Sequence, residues 1–198
     1  QDMEMILRHI FDLYDQVGAS HIEIRTGKPV AFAGKRQFKA SCFYKHHCLC
    51  LDGTPEQLKK RFHKNAVRIP IAKAVKSGLE VRHGKTEQDI SCFYRIFSRS
   101  RKRHGLPPIP YIYFKSLWDV FGSSGNLTVL SAVHEEKTVA VSLLLKFKDS
   151  VTVEFGCDLI EYRKLCPNHF LDWEAIKLAS QEGFKLFSFG RTSPHNKG

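Results

Sequence analysis

Basic and polar side chains gather between residues 157 and 198, where their types and spacing could bind an anion or an acyl donor. A predicted strand ends near Cys157, a short basic loop follows, and Pro167 ends that loop before a predicted helix. The first turn of a helix offers free backbone N–H groups and a positive dipole end, and both favour negative charge. The next predicted strand, over residues 185–189, runs into a second polar loop. The side chains that could contact the anion are Arg163, Lys164, Asn168, Arg191 and Ser193.

A second basic segment lies earlier, in two predicted helical stretches on either side of Pro70. In the first stretch, residues 58–69, cations recur every four positions, which places them on one face of a helix. No acidic residue interrupts residues 59–77. Two interpretations stay open: a solvated helix face, or a stripe that follows the phosphates of a nucleic acid. The cations concerned are Lys60, Lys64, Arg68, Lys73 and Lys76.

The composition is that of a folded protein with a basic surface. The chain has 198 residues, of which 42% are hydrophobic and 26% charged, enough apolar content for one large core or two small ones. Its net charge of +11 favours a nucleic acid, a phosphorylated carrier, a nucleotide cofactor or a lipid head group as partner, or else reflects a basic surface without a specific role. No apolar stretch is long enough for a membrane span. Because the chain begins at Gln1 and opens directly into a helical pattern, we expect a fragment of a longer protein.

The six cysteines predict neither a disulfide framework nor a metal centre. Cys48 and Cys50 alternate with leucines, as in a strand, and form no C-x-x-C motif. Without a secretory signal, reduced thiols and a cytoplasmic location are expected. Cys42, His46 and His47 lie close to them in sequence, but the spacing matches no zinc motif, so no metal is predicted.

Apolar periodicity and turn residues predict an α+β domain. Residues 54–57 and 86–89 each have the spacing of a helix N-cap. After the second cap the pattern is two helices, an antiparallel three-stranded meander, a helix and a final strand. The predicted helices cover residues 3–17, 58–69, 71–77, 86–105, 111–121 and 168–182, and the predicted strands cover residues 21–24, 79–82, 127–134, 138–147, 151–157 and 185–189, with one or two more within residues 30–51.

Several sequence blocks connect this order of elements to a known family. They are Phe93-Tyr94 with Arg103-His104-Gly105-Leu106-Pro107-Pro108, residues 162–176 with Tyr162-Arg163-Lys164 and Pro167-Asn168-His169, Gly183-Phe184, Phe187-Ser188-Phe189-Gly190-Arg191-Thr192-Ser193-Pro194 and, upstream, Arg68-Ile69 with residues 72–79. Together they resemble the acyltransferases called GNAT, and in detail the FemAB-type branch and its bacterial BioF2-like acetyltransferase relatives. The resemblance covers about residues 45–198.

The resemblance implies a GNAT-like mixed sheet flanked by helices and preceded by part of a first GNAT-like lobe. FemAB-type proteins carry two such lobes. Residues 1–85 would then be the C-terminal part of the first lobe with a basic helical connector. Residues 86–198 would be the second, acyltransferase lobe, truncated at its C-terminus.

The resemblance also implies transfer of an acyl or aminoacyl group to an amine. In FemAB-type members the donor is aminoacyl-tRNA and the acceptor is a lipid-linked peptidoglycan precursor, whereas other relatives belong to exopolysaccharide or protein-sorting systems. We therefore expect aminoacyl-tRNA or acyl-CoA as donor, no permanently bound cofactor, an amine acceptor, and a cytoplasmic or membrane-peripheral location. The alternatives are a nucleic-acid (tRNA)-binding module and a catalytically silent GNAT-like lobe. The sequence indicates nothing about oligomeric state.

The loop before the third GNAT helix departs from the usual coenzyme A cradle. In ordinary members that loop reads Arg/Gln-x-x-Gly-x-Gly/Ala, and its backbone amides hold the pyrophosphate. In this chain residues 163–168 contain no glycine, and Pro167 removes one amide donor. The phosphate contact is therefore expected from the basic side chains of this loop and from Arg191. Arg191 could instead tie its own loop to Asp158 or Asp172.

Amine acylation needs a base for the ammonium proton and donors for a tetrahedral oxyanion. Glu154 and Asp158 are candidate bases near the end of the third meander strand, although Asp158 could equally cap the loop. His169 lies in the first turn of the following helix, where it could act as a base or simply pack. Direct transfer forms no covalent enzyme intermediate, so neither Cys157 nor Cys166 is assigned as a nucleophile.

Overall fold

The computed structural model describes residues 2–24, 38 and 44–192 and divides the chain into two units, Gln1–Phe43 and Tyr44–Gly198. In the first unit, helix α1 (Asp2–Val17) ends at Gly18, whose φ of 61° lies in the left-handed region that glycine adopts without strain. The strand predicted over residues 21–24 is wrong. This segment is irregular and pairs with no strand in the described part of the chain.

The second unit is built on a six-stranded mixed sheet with the order β1-β6-β5-β4-β3-β2. All neighbouring strands are antiparallel except β5 and β6, which are parallel. The strands are β1 (Lys45–Cys50), β2 (Glu80–Gly84), β3 (Leu127–His134), β4 (Lys137–Phe147), β5 (Ser150–Asp158) and β6 (Leu186–Thr192).

Helices cover both faces of this sheet. They are α2 (Pro55–Arg61), a π-helical turn (Lys64–Arg68), α3 (Ile69–Lys76), α4 (Glu87–Arg103), α5 (Tyr111–Phe121), a 3-10 turn (Ile160–Leu165) and α6 (Pro167–Gln181). Helix α6 packs on one face with α3 and α2 outside it, and α4 and α5 pack on the other face. Among the described residues, no helix combines the length and apolar character needed to cross a membrane.

The two faces have separate apolar cores because neighbouring residues of a strand point in opposite directions. Leu130 of β3 and Leu144 of β4 join the α6 core, whereas Val129 and Leu143 join the α4–α5 core. Both central strands therefore bury both faces, which explains why the sequence of β4 is almost continuously apolar. The α4–α5 core is aromatic, with ring centroids 5.0–6.4 Å apart among Phe93, Phe97, Phe114 and Phe155.

The helix predicted over residues 58–69 is wrong in its extent, because α2 ends at Arg61. Phe62 is extended, with ψ of 147°, and the His63 imidazole Nδ1 accepts a hydrogen bond of 3.1 Å from the Ala66 N–H. His63 therefore caps a new turn, which local periodicity does not reveal. Pro70 lies in the first turn of α3, where its missing N–H is tolerated.

The division into units lies at Phe43/Tyr44. Strand β1 pairs with β6, β2 pairs with β3, and α3 packs against α6, so residues 44–84 share one sheet and core with the rest of the second unit. The sequence places a lobe boundary after residue 85, which does not coincide with this division. That residues 1–85 descend from a first lobe stays a prediction.

Candidate active site

An opening lies between the carboxyl ends of the two parallel strands. Strands β5 and β6 pair through Ser150–Leu186, Val151–Phe187 and Thr152–Ser188, and no pairing between them follows in the described residues. Beyond Thr152, β5 continues along β4 as far as Asp158, while β6 continues along β1 to Thr192. Ligands of α/β sheets bind outside the carboxyl ends of the strands, at the point where neighbouring strands part. The strand geometry therefore makes this opening the candidate site.

A β-bulge places Glu154 at the opening. In the ladder between β4 and β5, Leu143 is opposite Phe155 and Leu144 is opposite Val153, so Glu154 has no opposite residue. Bulges turn a side chain away from its regular direction and release backbone groups from the ladder. Glu154 is exposed and forms no ion pair with any described residue. It follows the last β5–β6 pair by two residues, so this candidate base is free to meet a substrate there.

Asp158 is held by two arginines. Its carboxylate, 4% exposed, accepts hydrogen bonds from Arg163 Nε at 2.8 Å and Nη2 at 3.2 Å. Arg103 at the end of α4 donates to its main-chain oxygen at 3.4 Å and lies 3.5 Å from its carboxylate. These contacts tie the end of β5 to its following loop and to α4. They favour the loop-tying interpretation of Asp158 over a role as base.

The same ion pair limits what Arg163 can offer a donor. Its hydrogen bonds to Asp158 raise its pKa above the ordinary value and occupy one edge of its guanidinium. Lys164 is exposed and has no ion pair within the described part of the chain. The exposed Arg191 stacks on Tyr44, 4.4 Å from the ring centroid, and is not tied to Asp158 or Asp172. Lys164 and Arg191 are thus the freer cations, and Ser193 lies outside the described residues.

The N-terminus of α6 offers backbone donors despite Pro167. Cys166 takes a left-handed conformation with φ of 59°, and its N–H donates to the Arg163 oxygen at 2.9 Å. The Phe170 N–H donates to the Cys166 oxygen at 3.2 Å, which leaves the N–H groups of Asn168 and His169 as the first-turn donors. Both of these side chains are exposed. The helix end can therefore receive an anion through two amides.

The environment of Cys157 argues against its use as a nucleophile. Burial and the Asp158 carboxylate raise the pKa of Cys157 to about 12, so its thiol is neutral at physiological pH. Cys166 is half-buried beside the Lys164 oxygen at 3.9 Å. In residues 2–24, 38 and 44–192, no three potential metal ligands converge, and Cys42 lies outside those ranges.

The sequence interpretation missed a polar cluster at the inner edge of the opening. His46 Nε2 lies 2.9 Å from the hydroxyl oxygen of Ser188, and Cys48 Sγ lies 3.7 Å from His46 Nδ1. Ser188 is the last β6 residue that pairs with β5. The alternation of His46 and Cys48 indicated a shared strand face, but nothing local indicates that β1 pairs with β6, 142 residues away.

The five cations of the basic segment, Lys60, Lys64, Arg68, Lys73 and Lys76, lie on α2, the π-helical turn and α3 rather than along one helix. Four of them are exposed, whereas Arg68 is half-buried, and its Nε is a buried atom with no hydrogen-bond partner in the described structure. The single helix from which a shared face was predicted for Lys60, Lys64 and Arg68 is therefore absent. The segment remains uniformly basic and flanks α6 through α3.

Comparison with known families and structures identifies the fold. The sequence model of the family described as acetyltransferase (GNAT) domain matches residues 61–197. No curated protein matches the sequence. The mixed sheet and its flanking helices thus agree with the GNAT-like fold expected from the sequence blocks.

Solved structures agree at low sequence identity. FemX matches with a TM-score of 0.70 at 14% identity, over 77% of this chain and 54% of its own. The C-terminal domain of a proposed lysylphosphatidylglycerol synthetase from Agrobacterium fabrum matches with a TM-score of 0.56 at 15% identity, over 76% and 48%. L-PGS from Bacillus licheniformis matches with a TM-score of 0.56 at 13% identity, over 79% and 48%. The chain spans about half the length of these proteins.

Proposed function

We propose that this chain, which belongs to the GNAT acetyltransferase family, transfers an acyl or aminoacyl group from an activated donor to an amine. One observation carries the proposal: within residues 44–192, the parallel strands β5 and β6 pair as far as Thr152 and Ser188 and then separate. An extended donor arm can lie in such an opening, with its reactive carbonyl at the strands and its phosphates at the N-terminus of α6.

The proposed donor contacts combine backbone and side chains. The N–H groups of Asn168 and His169 face the donor phosphates, and Lys164 and Arg191 add charge. Arg163 contributes less, because Asp158 occupies one edge of its guanidinium. Side-chain cations therefore replace the glycine-rich cradle of ordinary members.

The proposed chemistry is direct attack of the amine on the donor carbonyl. Glu154, directly or through a water, takes the proton of the ammonium group, and the amine nitrogen then forms the C–N bond. Backbone N–H groups released by the bulge stabilise the tetrahedral oxyanion. The C–S bond of a thioester or the C–O bond of an aminoacyl ester breaks, the second nitrogen proton passes to the leaving thiolate or alkoxide, and Glu154 releases the first proton to solvent. No covalent enzyme intermediate is needed.

The proposed donor is aminoacyl-tRNA or acyl-CoA. The glycine-free loop and the uniformly basic segment beside α6 support aminoacyl-tRNA, because a nucleic acid needs cations over a longer path than a nucleotide does. The fold shared with FemX and with lysylphosphatidylglycerol synthetase is compatible with either donor. For the acceptor we propose an amine of a peptidoglycan or exopolysaccharide precursor, which would place a lipid-linked reaction at the membrane periphery.

A donor screen tests the proposal. Acetyl-CoA, a long-chain acyl-CoA and charged tRNA are each offered with a panel of amines, and amide formation is followed by mass spectrometry. We expect one donor class to give a product that disappears when Glu154 is changed to Gln. Transfer at the wild-type rate in a protein carrying both Glu154→Gln and Arg191→Ala would refute the site. Absence of transfer from every donor by the full-length protein would contradict the function.

A tRNA-binding module is the second candidate, and the basic segment favours it. A pure binder would keep its affinity when Glu154 and Arg191 are replaced. It would lose affinity, with a shallower salt dependence, when Lys60 and Lys64 become Gln. Binding of uncharged tRNA measured against salt concentration separates the two candidates.

A further inference from the structure

An open cavity of about 330 Å³ lies on the α4 face of the sheet, and three of its six lining residues are cations. Helix α4, the start of β4 and the residue after β5 form its wall. The lining residues are Arg95, Ile96, Arg99, Lys137, Thr138 and Leu159. Strands β4 and β5 are antiparallel, so the start of β4 lies beside the carboxyl end of β5. The cavity therefore lies at the same end of the strands as the opening between β5 and β6. Its volume is at the lower end of the range typical for small-molecule sites.

Two of the three cations lack an acidic partner. Among the described residues, the one side-chain hydrogen bond of Arg95 goes to Cys92 Sγ, a weak acceptor, at 3.6 Å. Lys137 donates to the neutral hydroxyl of Tyr162 at 3.1 Å and lies 4.9 Å from the centroid of that ring. In the described part of the chain, neither cation is within 4.0 Å of a carboxylate oxygen, although a backbone hydrogen bond and, to a smaller extent, the charge of Lys137 lower the pKa of Glu161.

The third cation is neutralised. Arg99 Nη2 lies 2.5 Å from Glu161 Oε1, in the turn that follows β5. Three cations and this one carboxylate leave two uncompensated positive charges around the cavity. Like charges gathered in a concave surface repel one another and raise the local concentration of anions. The apolar side chains of Ile96 and Leu159 on the same wall reduce screening by water.

The cavity is separate from the proposed donor contacts. None of Lys164, Asn168 and Arg191 lines it. Leu159, which does, directly follows Asp158 at the end of β5, so the cavity and the opening lie on either side of that strand end. A ligand held at the cavity by one end could therefore extend towards the opening with the other.

We propose that this cavity binds an oxyanion, a phosphate or carboxylate group, and that the group belongs to the acyl acceptor. The second part rests on the proposed function, whereas the first does not. Arg95 provides the planar, two-pronged donor that matches an oxyanion, and Lys137 provides a point charge on the opposite wall. An acceptor anchored in this way would present its amine at a fixed distance from its anionic group, which makes that distance a determinant of specificity.

Binding of simple anions tests the first part. Inorganic phosphate, pyrophosphate and acetate are titrated into the full chain and followed by heteronuclear NMR. We expect a saturable shift at Arg95, Arg99 and Lys137, and a loss of affinity for phosphate of at least about tenfold in the double variant Arg95→Gln/Lys137→Gln. Both residues are exposed, so the fold is retained, which circular dichroism checks. Tighter phosphate than acetate binding assigns a phosphoryl ligand, and the reverse order assigns a carboxylate.

The matched control is Lys148→Gln/Lys185→Gln, which removes the same total charge from two exposed positions at the opposite end of the sheet, after β4 and before β6. Equal weakening of phosphate binding in the two double variants would reduce the effect to overall charge and overturn the site. Unchanged phosphate binding in Arg95→Gln/Lys137→Gln would overturn it as well.

Steady-state kinetics test the second part once a donor is found. In Arg95→Gln/Lys137→Gln we expect a KM at least about tenfold higher for an anionic amine acceptor, and an unchanged KM for its neutral ester. Loss of phosphate binding without this selective rise in KM would overturn the acceptor assignment. If no donor supports transfer, the phosphate titration still decides whether the anion site exists.

Discussion

The two ends of the β5–β6 strand pair differ in how they are held together. The amino ends of the strands form the closed end, and their carboxyl ends form the open end. At the first end, three residues of each strand pair in register, and the N–H groups of Lys185 and Leu186 donate to the Asp149 oxygen at 2.8 and 3.1 Å. Close by, Lys146 of β4, only 10% exposed, is paired with Glu182 after α6 at 2.6 Å. At the other end the strands separate, and the charged 3-10 turn Ile160–Leu165 follows β5.

This difference shows how a sheet can hold a rigid opening. Backbone pairing and a half-buried ion pair fix the angle between the strands at the closed end, so the open end needs no contacts across it to keep its shape. The side chains at the open end are then available to bind substrate, apart from Asp158 and its arginine partners, which hold the loop after β5. Four predictions test this division of roles, from the largest expected effect to the smallest.

Glu154→Gln should abolish most of the turnover. Loss of a general base lowers kcat by roughly 10²- to 10⁴-fold, while the free energy of unfolding should stay almost unchanged because the side chain is exposed and unpaired. Single-turnover kinetics and urea unfolding measure the two quantities. Glu80→Gln, an exposed carboxylate on the edge strand β2, is the matched control and should behave as wild type. Turnover above a tenth of the wild-type value would assign the base elsewhere.

Asp158→Asn should weaken the fold more than the chemistry. Two arginines would then face an amide in place of a carboxylate, which should lower the free energy of unfolding by about 2 to 3 kcal/mol. Asp149→Asn at the closed end, where both partners are highly exposed, should lower it by less than about 0.5 kcal/mol. Urea titrations of the two variants and the wild type measure these changes in the free energy of unfolding. If Asp158→Asn lost as much kcat as Glu154→Gln at a temperature where both are folded, Asp158 would be the base.

Asp172 should make stability fall as the pH rises. Burial in α6 raises its pKa from 3.8 to about 6, so the folded state binds a proton more tightly than the unfolded chain. Its favourable contribution is therefore complete below pH 3.8 and is lost as the pH rises through 6. The full loss is on the order of 2 to 3 kcal/mol, about half of it between pH 5 and pH 8. Asp172→Asn should remove this dependence in urea unfolding at the two pH values, and an unchanged dependence would show that another group causes it.

Arg191→Gln should have the smallest effect, confined to donor binding. We expect the donor KM to rise roughly 5- to 10-fold, equivalent to about 1 kcal/mol, with kcat nearly unchanged. Arg82→Gln on β2 carries the same charge change far from β6 in the strand order and should leave the donor KM unaltered. A lower kcat at saturating donor would instead place Arg191 in the transition state.

Local signals in the sequence predicted most of the elements of the second unit. The limits of β3 and α5 match those predicted, because alternation, caps and turn residues act within a few positions. The Thr86 cap is confirmed: Asp89 accepts hydrogen bonds of 2.9 Å from the Thr86 N–H and 2.7 Å from its hydroxyl. The failure at residues 62–63 has a physical cause, since a histidine acted as a cap in a segment with good helical spacing.

The site was less predictable because distant pairings create it. Glu154, Asp158 and Arg191 were identified as residues able to do chemistry, but their spacing could not show a bulge at Glu154 or an arginine pair around Asp158. The cluster of His46 with Ser188 depends on the pairing of β1 with β6, and the cationic cavity depends on α4 packing across β4. Such contacts join residues that are far apart in the sequence, so the pattern of a few neighbouring residues does not predict them.

The pairing of β1 with β6 also has a consequence for synthesis on the ribosome. His46 is made 142 residues before Ser188, whose hydroxyl oxygen it contacts across the β1–β6 pair. At typical rates of chain elongation this interval is roughly 7 to 30 seconds. Among the described strands β6 is the partner of β1, so for that time the backbone donors of β1 and the thiols of Cys48 and Cys50 stay without that pairing. The sheet therefore completes its β1–β6 pair only when β6 has been made, and until then the unpaired backbone of β1 is able to pair with another chain.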